Sequence, residues 1–357
     1  MKKSSQHPNV KVYIIIVNFN GWSDTIECLE SVFRMNYNNY SVIVVDNASD
    51  DGSVEKIKMW ATGKLNVWRS RRNVLRDKSF PPILKPISFV EHSFLVDGEG
   101  SNTVIANLPK VDFSAEKSFV LIESERNHGF SGGNNIGIRY ASNIGDFQYI
   151  WLLNNDTVVN SNALTELVKR IRQKSKVGFC GSTLLYYYNP KKIQALAGGT
   201  YNKWFACPNH IGSMQNADRH AGTIEVEKRL FYIVGASLLV SKEVIDEVGL
   251  MSEEYFLYFE ELDWVIRSRD RFSLSYAPGS LVYHKVGAST GESEIRTNKS
   301  ELSDYYWTKN RLLLTRNHFP YALPTVYLSL LVAILNRIIR KQWDRVIMIM
   351  KIMFGLD

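Results

Sequence analysis

The stretch VYIIIVNFNGWSDTIECLESVFRMNYNNYSVIVVDNASDDGS, residues 12–53, decides the fold class. It contains two short runs, 12–17 and 42–45, that are nearly all β-branched and apolar, which is typical of strands buried on both faces of a sheet. Between them, apolar residues recur at helical spacing, and Asp24 with Glu27 predicts a capping box at the helix start. This order predicts an α/β protein with a mostly parallel sheet flanked by helices.

The same alternation returns further along the chain. Strands are predicted at 119–122 and 149–153, with a helix at 134–142 between them. Residues 66–118 contain prolines, glycines and mixed charge without a sustained period, and they are interpreted as an insertion that forms a β-flap.

In the second half we predict a strand at 231–240, a helix after Ser241, a helix starting at Glu260 and a short strand ending at His284. Residues 1–290 would then form one catalytic domain, and 291–357 a helical C-terminal region.

Composition limits the class of protein. The 357 residues include 43 Lys and Arg against 36 Asp and Glu, a net charge of +7, and 45% are hydrophobic, which excludes a disordered chain. The three cysteines, Cys28, Cys180 and Cys207, are far apart and support neither a disulfide framework nor a thiolate metal site. A reducing environment fits them best, and the N-terminal apolar run is too short for a signal peptide, so a cytoplasmic location is expected.

The C-terminal region combines apolar and basic residues. Tyr321 to Leu335 gives about fifteen mostly apolar residues, fewer than the roughly 20 that cross a bilayer, so spanning is not expected. Four basic residues follow or lie nearby: Arg337, Arg340, Lys341 and Arg345. This pattern suits a helix lying on the inner face of an anionic plasma membrane. Packing of the helices on the domain explains it equally well.

Polar side chains stand where the predicted strands end, at Asn18, Asp46, Asn127 and Asp156. Ligands of open α/β sheets bind beyond the carboxyl ends of the strands, so these residues predict one binding rim. In the turn after the second strand, the carboxylates of Asp46 and Asp51 can accept hydrogen bonds from a base or ribose. Such turns also form for purely conformational reasons.

The segment NHGFSGGNNIG, residues 127–137, predicts a diphosphate site. Gly129, Gly132 and Gly133 would let the backbone come close to a ligand, and the helix that follows would aim its amides at the phosphates. The segment matches neither a Walker loop nor a dinucleotide fingerprint.

Asp156, at the end of LLNNDT, predicts a divalent metal site because such cations prefer oxygen ligands. His284 is the candidate second ligand, since Mn²⁺ accepts imidazole. The alternatives are a helix cap for Asp156 and a hydrogen-bonded or surface role for His284.

The segment YFLYFEELDW places Glu260, Glu261 and Asp263 among aromatic residues. Lost solvation and mutual repulsion would raise a carboxylate pKa towards that of a general base. The alternative is an acidic first helical turn that complements the helix dipole.

Seven segments in order carry a family resemblance: VNFNG, VVDNASDDGS, NHGFSGGNNIG, LLNNDTVV, VGASLLVSKEVIDEVG, YFEELDW and YHKVGAS. Across about residues 10–290 the sequence resembles the family 2 glycosyltransferases, inverting enzymes with the A-type fold, and within them the bacterial rhamnosyltransferase-like branch. The resemblance implies that Asp46 and Asp51 hold the nucleoside and that Asp156 is the last acid of a DxD element whose first position here is Asn154. It also implies that Glu261 is the base, with Glu260 and Asp263 as rivals.

The residues expected around the donor are Asn18, Asn20, Asp46, Asn47, Asp51, Asn127, Gly129, Phe130, Gly132, Gly133, Asn134, Asn155 and Asp156. The metal, Mn²⁺ or Mg²⁺, would sit on Asp156 and His284. The expected reaction moves rhamnose or another hexose from a nucleotide-diphosphate donor to a saccharide or lipid-linked acceptor in cell-surface polysaccharide synthesis.

Three other functions fit parts of the sequence. An inactive nucleotide-sugar-binding relative would keep the same motifs. A nucleic-acid-binding protein would explain the basic charge, including Arg69, Arg71, Arg72 and Arg76, which lie in the insertion far from any recognised binding motif. A nucleotidyltransferase would use a similar sheet but lacks its usual Gly-rich start.

Overall fold

A computed structural model describes residues 9–67, 70–94, 117–218, 222–286 and 300–356. Within these ranges the strands are β1 Val12–Asn18, β2 Tyr40–Asp46, β3 Ser88–Phe94, β4 Ser118–Ser124, β5 Tyr149–Leu153, β6 Thr157–Val159, β7 Val177–Tyr186, β8 Ile193–Leu196, β9 Gly198–Asn202, β10 Cys207–His210, β11 Tyr232–Ile233, β12 Ser237–Ser241 and β13 Ser273–His284. The helices are α1 Trp22–Val32, α2 Ser53–Ala61, α3 Arg76–Ser79, α4 Gly129–Ile144, α5 Ala163–Ile171, α6 Thr223–Arg229, α7 Lys242–Val248, α8 Glu260–Ser268, α9 Glu301–His318, α10 Leu323–Ile339 and α11 Trp343–Phe354.

The main sheet has the strand order β3-β4-β2-β1-β5-β12-β7-β13-β6, and β8 pairs with β7 outside this path. Strands β3, β4, β2, β1 and β5 are parallel, while β12 runs antiparallel to both of its neighbours. The predicted α/β class with a mostly parallel sheet is therefore confirmed, as are the predicted strands at 12–17, 42–45, 119–122 and 149–153.

Strand β1 shows why such runs are apolar throughout. Val12, Ile14 and Ile16 pack into the hydrophobic core on one face of the sheet, and Tyr13 and Ile15 pack into the core on the other face. All five side chains are fully buried. A strand covered by helices on both faces has no side that polar residues could occupy.

Part of the predicted insertion adds an edge strand to the main sheet. Strand β3 pairs in parallel with β4 along its whole length, from Ser88 to Phe94. This differs from the β-flap that we predicted, because the edge of β4 offers unpaired backbone groups that a further strand can satisfy. Residues 95–116 lie outside the described residues, and the extent of the insertion stays a prediction.

The apolar run predicted as one strand at 231–240 is divided between two sheets. Strand β11 belongs to a small sheet with the order β10-β9-β11, whereas β12 lies in the main sheet. Residues 234–236 join the two strands, and this junction borders the site described below.

Three helices, α9 to α11, form the C-terminal region. Within the described chain, one helical segment, Pro320–Ile339, is long and apolar enough to cross a membrane by length and composition alone, with 20 residues and a mean hydropathy of 1.8. The shorter length expected from the sequence is wrong, because a 3₁₀ turn at Pro320–Ala322 leads into α10 and the helix continues to Ile339.

Candidate active site

The site lies at the rim where the parallel strands β1, β2 and β5 end. Asn18 and Asp46 are register partners at the ends of β1 and β2. Because β12 runs in the opposite direction, its first residue, Ser237, lies beside Leu153 at the end of β5. At the same rim, His284 at the end of β13 pairs with Thr157. The topology therefore brings segments that are distant in sequence to one edge of the sheet.

Asp46 organises the first turn of this rim. Its carboxylate is buried and accepts hydrogen bonds from the Asn18 side chain at 2.7 Å and from the Ser49 amide and hydroxyl at 2.9 and 2.8 Å. Asn20 fixes the same turn by accepting from the Asp50 amide at 2.9 Å. Asp51 is exposed and accepts from the Ser53 amide at 3.0 Å, at the first residue of α2.

Asn47 joins this turn to the loop before α4. Its amide nitrogen donates to Asn127 Oδ1 at 2.9 Å and to the Gly129 carbonyl at 3.0 Å, while its oxygen accepts from the His128 amide at 3.0 Å. Asn127 Oδ1 also accepts from the Gly129 amide at 2.8 Å. The predicted donor residues Asn47, Asn127 and Gly129 are thus brought together.

Helix α4 begins at Gly129, five residues earlier than predicted, and this changes the role of its glycines. A Cβ on Gly132 would lie 2.6 Å from His128 Cβ, and one on Gly133 would lie 2.8 Å from Val17 Cγ1. These glycines are therefore explained by close packing against protein atoms, and a contact of Gly132 or Gly133 with a ligand stays a prediction.

The amides at the start of α4 are also occupied. The amides of His128 and Gly129 donate to asparagine side chains, and that of Phe130 donates to the Phe256 carbonyl at 2.8 Å. Three of the four amides that a helix start leaves without helical partners are therefore bound by the protein. The expectation of a free row of amides for a diphosphate is wrong in this structure.

One residue behind this loop, Asn135, escaped the sequence analysis. Asn135 exchanges hydrogen bonds with the Met251 backbone at 2.9 and 3.2 Å and donates to Glu253 at 2.9 Å. Asn134 donates instead to the Phe130 carbonyl of its own helix at 2.8 Å. Asn135 therefore ties α4 to the segment before α8, and a repeated Asn in a glycine-rich motif was the available signal.

The predicted metal pair is brought together across 128 residues of sequence. Nε2 of His284 lies 3.1 Å from Oδ1 of Asp156, and both side chains are buried. Nδ1 of His284 lies 3.0 Å from Oε1 of Gln194 on β8. An amide oxygen accepts, so Nδ1 donates to Gln194, and the ring turns Nε2 towards Asp156, where its unprotonated form would be the one that binds a metal ion. Gln194 had no signal in the sequence.

These residues fit a divalent cation. Two ligands at right angles around an ion with bonds of about 2.1 Å stand about 3.0 Å apart, close to the 3.1 Å observed between Asp156 and His284. Oδ1 of Asn154 is buried and no described residue donates to it. Within the described ranges, no cluster of three or more His, Cys, Asp or Glu side chains occurs.

Asn155 supports the same rim from behind. Its side-chain nitrogen donates to the Thr25 hydroxyl at 3.1 Å and to Asn18 Oδ1 at 3.4 Å. Asn155 is buried, so it connects the end of β5 to β1 and α1. Its predicted contact with a donor stays a prediction.

Glu260 and Glu261 are neighbouring acids in the first turn of α8. Burial, followed by the charge of Glu261, raises the pKa of Glu260 well above its usual value, and burial also raises the pKa of Glu261. The Gly235 amide donates to Oε1 of Glu261 at 3.2 Å, which favours its ionised form. Of the two, Glu260 holds its proton more tightly, and Glu261 is the better base.

Asp263, the third predicted acid, is held in a structural ion pair. Its two oxygens lie 2.8 Å from Nε of Arg267 and 2.7 Å from Nε2 of His318. Asp263 therefore ties α8 to α9, and the prediction that it competes for the role of base is wrong.

Gly235 marks the point where these segments meet. A Cβ at this position would lie 3.1 Å from the Phe130 ring and 3.4 Å from Oε1 of Glu261. The next residue, Ala236, accepts the Asn154 amide at 3.1 Å through its carbonyl. The predicted base, the donor loop and the segment of Asp156 therefore converge on residues 235–236.

The predicted capping box is replaced by a buried ion cluster. Nζ of Lys285 lies 2.5 Å from Asp24 and 2.6 Å from Glu27, and α1 begins at Trp22 without a side-chain cap. Burial acts to lower the pKa of Lys285, but the Glu27 and Asp24 carboxylates outweigh it and raise that pKa. The capping prediction is wrong because both carboxylates bind a cation that lies more than 250 residues away in sequence.

The replacement Glu260→Gln is expected to raise thermal stability at neutral pH. A buried acid with a raised pKa contributes stability that is fully present below its ordinary value of 4.5 and is lost as the pH rises through the raised value. Glutamine resembles the protonated form and avoids that loss. We expect the melting temperature to rise by about 2 °C or more at pH 8, with the difference shrinking towards pH 4.5. Glu254→Gln, at an exposed position nearby, should change little.

The sequence matches the family model described as Glycosyl transferase family 2 over residues 13–77 and 94–248, together more than half of the chain. Residues 78–93, which separate the two matched ranges, lie within the predicted insertion.

Two curated relatives are similar over part of their length. The low-salt glycan biosynthesis hexosyltransferase Agl10 of Haloferax volcanii is 26% identical over 149 residues, which are 42% of this chain and 45% of the relative. The poly-beta-1,6-N-acetyl-D-glucosamine synthase of Staphylococcus epidermidis is 22% identical over 207 residues, which are 57% of this chain and 45% of the relative. The matches thus span less than half of the length of either relative.

A solved structure supports the fold. The mannosyltransferase PcManGT from Pyrobaculum calidifontis, solved with GDP-Man and Mn²⁺, is similar with a TM-score of 0.51 and 12% identity over 91% of this chain and 75% of that one. The sheet therefore has the A-type glycosyltransferase fold. From the family match and this architecture, the chain belongs to glycosyl transferase family 2.

Proposed function

We propose that this glycosyltransferase moves a hexose from a nucleotide-diphosphate donor to a saccharide or lipid-linked acceptor with inversion at the anomeric carbon. The observation that carries the proposal is the convergence on residues 235–236. Asn154, next to the Asp156–His284 pair, and Glu261 hydrogen-bond to adjacent residues of this junction. A leaving diphosphate and an attacking hydroxyl need groups on opposite sides of one sugar, and we assign the Asp156–His284 pair to the first and Glu261 to the second.

Asp156 and His284 would hold a divalent ion, Mn²⁺ or Mg²⁺, whose chemistry is to neutralise charge on the diphosphate. The related mannosyltransferase PcManGT contains Mn²⁺ together with its donor. Imidazole and carboxylate together favour Mn²⁺ over Mg²⁺, which prefers oxygen alone.

The transfer step is assigned to Glu261. Its carboxylate takes the proton of an acceptor hydroxyl while that oxygen forms a bond to the anomeric carbon. The bond from the anomeric carbon to the phosphate oxygen breaks on the opposite face, and the nucleotide diphosphate leaves with the electron pair. Oε1 of Glu261 accepts from the Gly235 amide, so the carboxylate is held in place while Oε2 remains for the proton.

The nucleoside side of the donor is assigned to the rim formed by Asn18, Asn20, Asp46, Asn47 and Asp51. Of these, Asp51 is exposed and the Asp46 carboxylate is buried in its own turn. Asp51 is therefore the better candidate for direct contact, and Asp46 positions the turn. The Phe130 ring lies beside Gly235 at the junction. We assign this ring to contact with the donor sugar.

For the sugar we propose rhamnose from dTDP-rhamnose first and UDP-linked hexoses second, in keeping with the rhamnosyltransferase-like motifs. The relatives are named for a hexosyltransferase of glycan biosynthesis and for a polysaccharide synthase, which supports a role in cell-surface polysaccharide synthesis. The proposed place of the reaction is the cytoplasm, where nucleotide sugars would be supplied.

The replacement Gln194→Leu is expected to weaken Mn²⁺ binding by about 10 to 100-fold, the usual effect of losing a hydrogen bond behind a metal ligand. Without Gln194, the His284 ring loses the partner that fixes its hydrogen on Nδ1. Mn²⁺ affinity can be measured by electron paramagnetic resonance without turnover. Gln194→Glu keeps an acceptor at this position and should retain binding; equal loss in both variants would contradict the role of the hydrogen bond.

A donor panel tests the proposed function. Purified protein is incubated with dTDP-rhamnose, UDP-hexoses and GDP-mannose in the presence of Mn²⁺ or Mg²⁺, and donor hydrolysis and the melting temperature are measured. We expect one donor to raise the melting temperature and to be hydrolysed slowly with release of the nucleoside diphosphate. Stabilisation without hydrolysis or transfer would favour the inactive relative, and a response to none would contradict the proposal.

A further inference from the structure

The helices α10 and α11 each expose a stripe of large apolar side chains. On α10 the stripe consists of Leu328, Leu331, Val332, Leu335 and Ile339, and on α11 of Trp343, Ile347, Met350 and Phe354. The members recur every three or four residues, so each series lies along one face of its helix. Exposed fractions reach 59% at Leu328, 78% at Ile339 and 70% at Phe354.

The opposite faces of both helices are buried. Val326 and Leu330 of α10 and Ile349 and Ile352 of α11 belong to the core. Both helices pack on each other and on α9. Their exposed stripes therefore point away from α9, and the three-residue connection 340–342 keeps the stripes side by side. We call the two stripes together the hairpin face.

An aromatic turn of the catalytic domain is fixed beside this face. Trp204 and Phe205, in the turn between β9 and β10, are about half exposed. The Trp204 carbonyl accepts from the Thr325 hydroxyl at 2.5 Å, and the Trp204 ring lies 5.5 Å from that of Tyr321. The Phe205 carbonyl accepts from Arg311 at 2.7 Å. The aromatic turn and the start of α10 therefore form one surface.

The charge around this surface is positive. Residues 320–356 contain five basic side chains and one acidic side chain. Arg340 and Lys341 are exposed in the connection between the helices, and Nζ of Lys203 lies 5.4 Å above the Tyr321 ring at the other end. Apolar stripes with basic residues at their ends and aromatic residues at an edge match the interface of an anionic bilayer.

We propose that the hairpin face and the aromatic turn dock together onto an anionic membrane, with α10 lying in the plane of the interface. The other face of α10 is held by protein: Arg311 donates to Ser329 at 2.8 Å, and Arg337 at the end of α10 pairs with Asp304 of α9 at 2.8 Å. A spanning α10 would lose these contacts. Docking by the aromatic turn also brings the catalytic domain itself to the bilayer, within reach of a lipid-linked acceptor.

Flotation of the purified full chain with vesicles tests this proposal. Vesicles of phosphatidylcholine are compared with vesicles containing about one-third phosphatidylglycerol, and the protein is expected to float with the second. Leu331→Gln with Leu335→Gln should lower the bound fraction by at least about tenfold. Arg340→Glu with Lys341→Glu should lower it similarly on anionic vesicles. Leu84→Gln, at a side chain that is 92% exposed elsewhere, is the matched control.

Further readouts separate other occupants of the face. Release of the bound protein by alkaline carbonate supports a helix in the interface, and retention there indicates a spanning helix and overturns the proposal. A dimer in solution that the Leu331→Gln, Leu335→Gln variant dissociates, without vesicle binding by the unaltered chain, would assign the face to a second copy instead. Vesicle binding is measured without donor or acceptor. The flotation result can therefore be interpreted even if the protein responds to none of the donors in the panel.

Discussion

Glu261→Gln is expected to lower the rate of sugar transfer by about 10² to 10⁴-fold while nucleotide-sugar binding is retained. The amide cannot accept the hydroxyl proton, yet it has nearly the same shape and can still accept from the Gly235 amide. The loss should therefore appear in kcat, measured as product formed under saturating donor, and donor affinity should remain within a few-fold.

Replacement of Glu260 tests whether this neighbouring acid, rather than Glu261, is the base. Glu260→Gln should retain far more activity than Glu261→Gln, because the pKa of Glu260 is raised further than that of Glu261 and the Gly235 amide favours the ionised form of Glu261. Near-normal turnover of Glu261→Gln would transfer the role to Glu260. Asp263 is ion-paired with Arg267 and His318, so its replacement is expected to lower the stability of the fold and not to remove the base.

Asp156→Asn is expected to weaken Mn²⁺ binding by at least about 10²-fold, since even groups behind the ligands cost 10 to 100-fold. The substitution removes the only carboxylate of LLNNDT and leaves a neutral oxygen beside His284. Titration with Mn²⁺, followed by electron paramagnetic resonance with and without a nucleoside diphosphate, measures the loss, and kcat/KM for the donor should fall in parallel.

A surface carboxylate provides the control for this experiment. Asp246→Asn removes the same charge from a pair with Lys242 on α7 and is expected to leave metal binding unchanged. Unaltered Mn²⁺ affinity in Asp156→Asn would place the ion elsewhere or remove it from the reaction.

The central strands could be predicted from the sequence because burial on both faces requires an unbroken run of apolar residues. Strand β5 was predicted at its observed bounds, 149–153, and β1 and β2 within one or two residues. The pairing of Asp156 with His284 could also be anticipated, because both follow strand-like runs and parallel strands end at one rim.

Other features depend on contacts that leave no local pattern. Gln194 contacts His284 from β8, a short strand that pairs with β7 outside the main strand order. Asp24 and Glu27 form a sound capping motif locally, and only the tertiary fold brings Lys285 between them. The glycines of α4 carry the composition of a phosphate loop, yet Gly133 is needed because the helix lies directly against Val17.

The buried cluster of Lys285, Asp24 and Glu27 also bears on how enzymes of this kind could be recombined. It joins α1, near the start of the described chain, to the residue that directly follows β13. A chimaera that exchanged the second half alone would leave two carboxylates inside the protein without their cation, and a buried charge deprived of its partner is strongly unfavourable. Chimaeras made to change the acceptor preference should therefore take Lys285, Asp24 and Glu27 from the same parent protein, or replace all three.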